Sequence, residues 1–93
     1  MNLLKSKLDT LEKFLIKCEE QIPLLMKNDN INCCTLLNNL TKSLLDEIKN
    51  YINEDTEEYH LMYFNIIKER QENLTRVILN EAFNVAKAMD TTE

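Results

Sequence analysis

The stretch Leu4–Leu25, LKSKLDTLEKFLIKCEEQIPLL, decides how the chain folds. Its apolar residues Leu4, Leu8, Leu11, Leu15, Cys18, Ile22 and Leu25 follow one another in alternating steps of four and three, an unbroken heptad seam. Lys5, Lys7, Asp9, Glu12, Lys13, Lys17, Glu19 and Glu20 fall between the seam positions, where water can reach them. Phe14, Leu24 and Met26 lie off the seam and widen it toward a second neighbour. Pro23 removes the hydrogen bond to the Glu19 carbonyl and crowds that turn. The seam nevertheless keeps its phase across Pro23, so the expectation is a kink or a fresh last turn within one helix. That helix spans about residues 2–27.

Outward from this helix, Lys27-Asn28-Asp29-Asn30 reads as a turn, because Asn and Asp side chains hydrogen-bond their own backbone. A second stripe follows at Cys33, Leu37, Leu40, Leu44, Ile48 and Tyr51, flanked by Cys34, Leu36, Leu45 and Ile52. The flanks broaden the apolar face, as a helix touching two others requires. The second helix is expected over about residues 31–53. Asn53-Glu54-Asp55-Thr56 is the next break, with Asp55 and Glu58 spaced like a capping box. From there nothing interrupts a helix over residues 56–89, about 51 Å long against about 36–39 Å for the other two. Its apolar stripe reads Tyr59, Met62 or Tyr63, Ile66, Ile67, then Leu74, Val77, Ile78, Ala82, Val85 and Met89. The polar run Lys68–Asn73 interrupts it, leaving only the stem of Arg70 to hold the seam there.

Short connections favour antiparallel neighbours, so residues 1–93 are expected to form one all-α domain, an up-down-up three-helix bundle. A second helix of this height brings the third level with the first loop near residue 79. Ala82, Phe83, Val85, Ala86 and Met89 then project past the bundle with an apolar face. Either residues 68–73 bend the helix so that its end packs back as a fourth, or it runs on straight and meets another chain. With neither Gly nor Pro in that run, continuity is the expectation.

Composition narrows function mainly by exclusion. The chain has no Gly and one Pro. Phosphate-cradling loops, dinucleotide fingerprints and nucleophile elbows all need glycine backbone, so none is expected. The net charge of −5 is concentrated between Asp46 and Glu58, where six acids face one base. A nucleic-acid binder needs the opposite sign. No apolar run approaches the roughly 18 residues of a membrane span, and the N-terminus lacks the pattern of a signal peptide. An intracellular, cytoplasmic protein is expected, and Cys18, Cys33 and Cys34 are then reduced core thiols. Two Asn-x-Thr sequences, at Asn39 and Asn73, match the glycosylation pattern but carry no weight in that compartment.

Cys18, Cys33, Cys34 and His60 could supply four zinc ligands, but adjacent cysteines suit the usual ligand spacing poorly. His60 stands beside no nucleophile that the spacing reveals, and at a helix start it reads as surface or cap. Asp46/Glu47 and Glu57/Glu58 are sequence neighbours and point to different helix faces. No catalytic, cofactor or metal site is therefore expected, and no small-molecule substrate. Tyr51, Tyr59 and Tyr63 cluster at the second loop, where packing should close the lower end of the bundle.

The small, acidic, all-helical character is similar to that of flagellar and type III secretion chaperones, of short coiled-coil subunits of eukaryotic complexes, and of small viral regulators. The likeness lies in composition and architecture; no motif carries it, and no residue role is transferred. What these residues support is a non-enzymatic interaction module, an adaptor, complex subunit or chaperone that binds a partner helix. The expected anchors are Val77, Ile78, Ala82, Phe83, Val85 and Met89. The alternative is self-association through the Leu4, Leu8, Leu11, Leu15 heptad, and a third reading is a small inhibitor acting by helix-groove binding.

Overall fold

The computed structural model describes residues 2–90, and side chains as far as residue 88. Three helices pack against one another, α1 (Leu3–Lys27), α2 (Ile31–Lys49) and α3 (Glu58–Asp90), with no strand among the described residues. Three sets of side-chain contacts fix their directions. Asp9 meets Tyr63 and Glu19 meets Arg70, so α1 and α3 run parallel. Cys34 lies against the Ile22 carbonyl while Lys7 lies over Tyr51, so α2 runs antiparallel to α1. Thr41 pairs with Gln71, and Asn38 with Thr75, which sets α2 antiparallel to α3 as well. The arrangement is the up-down-up bundle.

Helix ends show how a chain without glycine turns. Asn2 caps α1 by accepting the Lys5 amide at 3.1 Å. At the other end Asp29 adopts φ 59°, the left-handed conformation usually left to glycine. The Asp29 amide then donates to the Met26 carbonyl at 3.0 Å, and the Asn30 amide to Leu25 at 2.8 Å. These are the two bonds of a Schellman motif, closed by an aspartate. Pro23 stays within α1, which continues to Lys27.

The second helix is shorter than expected, ending at Lys49 instead of residue 53. The amides of Asn50 and Tyr51 fold back onto Glu47 and Ile48 at 3.1 and 2.9 Å, tightening the last turn. Asn53 and Thr56 then close the loop: the Asn53 amide donates to Thr56 Oγ1 at 2.9 Å, and the Asp55 amide to Asn53 Oδ1 at 2.8 Å. Since α3 starts at Glu58, the cap position falls on residue 57, and the Asp55–Glu58 pair is out of register for a capping box.

The α1 seam is buried as the spacing requires, from Leu4 through Leu8, Leu11, Leu15 and Cys18 to Ile22, with Leu25 half-buried above. On α3 the buried positions are His60, Phe64, Ile67, Gln71, Leu74 and Ile78, the same alternation of steps. On α2 they are Cys34, Thr41, Leu45 and Ile48, a stripe displaced by about one residue from the expected one. Leu40, expected inside, is exposed. Deletion of such buried aliphatics costs roughly 2–5 kcal/mol each.

The polar run of α3 does not break the seam. Gln71 is 3% exposed and sits on it, opposite Thr41. Its Nε2 lies 3.1 Å from Asn38 Oδ1 and 3.3 Å from Thr41 Oγ1, and Thr75 Oγ1 donates to Asn38 Oδ1 at 2.8 Å. No buried side-chain polar atom among the described residues is left without a partner. Arg70, expected to keep the seam, instead turns outward and grips the Glu19 carboxylate through Nε and Nη2 at 2.8–3.0 Å. Helix α3 therefore stays continuous, and no fourth helix forms among the described residues.

A candidate interaction surface on the third helix

Beyond Ile78 the seam of α3 fades. The next positions up each helix, Leu25, Ile31 and Ala82, are half-buried, and Val85 above them is half-buried as well. The bundle thus covers α3 to about Ala82, a little higher than residue 79, because the pairing of Thr41 with Gln71 and of Asn38 with Thr75 brings Ile31, the start of α2, level with about residues 81–82. The molecule measures 59 × 19 × 16 Å, and α3 accounts for about 50 Å of its long dimension.

The six expected anchors do not form one face. At about 100° per residue, Ala82 and Val85 lie within about 40° of Ile78, and so continue the seam. Ile78 itself is buried in the core and already has its partners within the chain. Val77 is exposed about 100° to one side, and Phe83 about 140° to the other. Met89 belongs to α3, but its side chain lies outside the described residues. The structure adds Leu79, absent from the expected set, one turn below Phe83. Leu79 is 62% exposed and Phe83 68%, the latter more than any other large apolar side chain among the described residues. Ala82 and exposed Ala86 complete a stripe at i, i+3, i+4 and i+7. The i, i+4 spacing of Leu79 and Phe83 was the available signal for it.

A second stripe lies lower on α3. Tyr59, Ile66 and either Met62 or Tyr63 were expected inside; Tyr59, Met62 and Ile66 are exposed and Tyr63 is half-buried, because the seam runs through His60, Phe64 and Ile67 instead. Of the tyrosines, Tyr63 is half-buried and donates to Asp9 Oδ1 at 2.8 Å, while exposed Tyr51 carries Lys7 Nζ 4.9 Å above its ring. The hydrogen bonds from Tyr63 and Lys5 hold the Asp9 carboxyl below the usual carboxylate range. Burial, reinforced by Asp9, pushes the Tyr63 phenol well above its ordinary value.

His60, expected as a surface or cap residue, is instead buried at the foot of the bundle. Its Nδ1 lies 3.4 Å from Asn2 Nδ2 and 3.9 Å from the Glu57 carboxylate. Cys34 sits beside Ile22, some 20 residues or about 30 Å farther along α1 than Asn2. Among the described residues no group of three or more His, Cys, Asp or Glu is placed to hold a metal ion. Burial pushes the Cys18 and Cys34 thiols up, away from the reactive thiolate. The acids Asp46, Glu47, Glu54, Asp55, Glu57 and Glu58 are all exposed. Thr41 and Thr75 of the two Asn-x-Thr sequences belong to the inter-helix polar network.

No described helix is long and apolar enough to cross a membrane. The Leu4, Leu8, Leu11, Leu15 heptad is buried by α2 and α3, so it offers nothing to a second copy while the bundle is folded. Compared with known families, with curated proteins and with solved structures, the chain finds no significant match.

Proposed function

We propose that the chain is a non-enzymatic interaction module in which the bundle serves as a scaffold and the upper end of α3 docks a partner helix. The observation that carries this reading is the exposure of Leu79 and Phe83 on successive turns. Burying two such side chains on a partner is worth about 3–6 kcal/mol before the cost of association. Alanines at 82 and 86 let a second helix approach closely beside them. The partner is an amphipathic helix laid along this stripe, and adaptor, subunit or chaperone roles all use that contact.

The test is quantitative affinity purification of the wild-type chain against Leu79→Asp/Phe83→Asp, with Tyr59→Asp/Met62→Asp as a matched control. The expected result is loss of the captured partner in the first variant alone, with unchanged helicity in all three. Retention of the partner by Leu79→Asp/Phe83→Asp contradicts the reading.

A further inference from the structure

Two helices that bury their inner faces against a third leave a groove on the opposite side. Here the groove between α1 and α2 has a volume of about 520 Å³. Its apolar lining includes Leu3, Leu11, Phe14, Leu44 and Ile48. Phe14 and Leu44 are only half-buried, and Leu3 is exposed. Two charges also line it, Lys7 from α1 and Glu47 from α2. Lys7 Nζ lies over the ring of Tyr51, one turn along the chain from Glu47, so the two stand within about one helical turn of each other in height, within reach of their long side chains.

This pattern is self-complementary. A two-fold axis parallel to the helices, on the open side of the groove, lays α1 of one copy against α2 of the other without changing height. Lys7 then faces Glu47 of the second copy, and the contact occurs twice. Phe14 and Leu44 from both copies meet one to two turns above the two charged pairs. A face as long as the 19-residue α2 and as wide as the 19 Å molecule offers about 550 Å² in projection. That is of the order of the roughly 800 Å² each partner buries in a stable pair. We propose that the α1–α2 face is the dimer interface of this chain, with Lys7 and Glu47 setting its register. The face lies away from α3, so this proposal and the docking stripe at Leu79 and Phe83 can fail independently.

Sedimentation velocity on the full chain tests it, using wild type, Lys7→Glu, Glu47→Lys and an equimolar mixture of the two variants. Wild type is expected to sediment at twice the 11.0 kDa chain mass. Each variant alone places like charges opposite one another and should self-associate about tenfold more weakly. The mixture restores two opposite-charge pairs and should recover the dimer as a heterodimer, which also shows that both variants are folded. A wild-type chain that stays monomeric at every concentration leaves the groove to a partner of another sequence and overturns the proposal. Variants that dimerise like wild type, or a mixture that fails to recover, overturn it equally.

Discussion

The two parts of α3 are built from similar residues and behave differently. From Glu58 to Ile78 a side chain is buried every three or four residues, and the intervening positions point outward. From Leu79 to Ala88 no side chain is fully buried, although Leu79, Ala82, Phe83, Val85 and Ala86 are as apolar as anything below. The lower part has α1 and α2 beside it, and the upper part outgrows them. Apolar character alone therefore does not distinguish a core from an exposed stripe; the height of the neighbouring helices does.

The largest expected contrast is in stability. Ile67 is fully buried, and Ile67→Ala should cost about 3 kcal/mol. Phe83→Ala removes a larger side chain but should change stability by less than about 0.5 kcal/mol, because water already surrounds it. Urea midpoints of the two variants measure the contrast directly. Comparable losses would mean that the upper stripe is packed within the chain after all.

A smaller effect is expected at the polar layer. Gln71→Ala leaves Asn38, Thr41 and Thr75 short of partners and should cost about 2 kcal/mol. The same substitution at Asn80, on the exposed upper part of the helix, should be nearly neutral. Equal effects at the two positions, read from thermal unfolding, would show that the layer contributes no net stability.

The smallest effect concerns the Tyr63–Asp9 contact of the lower part. Because the Asp9 carboxyl is held below its ordinary range when folded, its contribution is present above that range and is lost as pH falls through the folded value. Tyr63 works in the opposite direction: its neutral form is favoured in the fold, so stability declines as pH rises past the ordinary phenol range near about 10. Tyr63→Phe should flatten both limbs of stability against pH, as followed by urea titration at a series of pH values. Unchanged limbs would remove this contact from the account.

Much of the architecture was legible because α1 carries a single apolar seam with charges on either side. Helix α2 was harder. Its adjacent pairs Cys33/Cys34, Leu36/Leu37 and Leu44/Leu45 offer two stripes one residue apart. The stripe that packs inward runs through Thr41, which looks like the poorer choice until Gln71 is found opposite it. The same pairing disguised the seam of α3, where a buried glutamine among charges resembled an interruption. Hydrophobic periodicity registers apolar positions, and it is blind to a polar residue whose partner comes from another helix. At the candidate site the sequence led to Phe83 but not to Leu79, whose neighbour Ile78 drew the stripe toward the core. It also treated Ile78 as available, since the neighbour that buries it lies outside the window of any local pattern.

The central claim is that the upper part of α3 is held for a partner while the lower part holds the fold. Amide hydrogen exchange along α3 addresses it most directly, measured on the free chain and on the complex purified from its native cell. The account predicts slow exchange from Phe64 to Ile78 in both states, with faster exchange in residues 79–88 that becomes protected only in the complex. Protection appearing instead around Tyr59, Met62 and Ile66, or no change in residues 79–88 on complex formation, would contradict it.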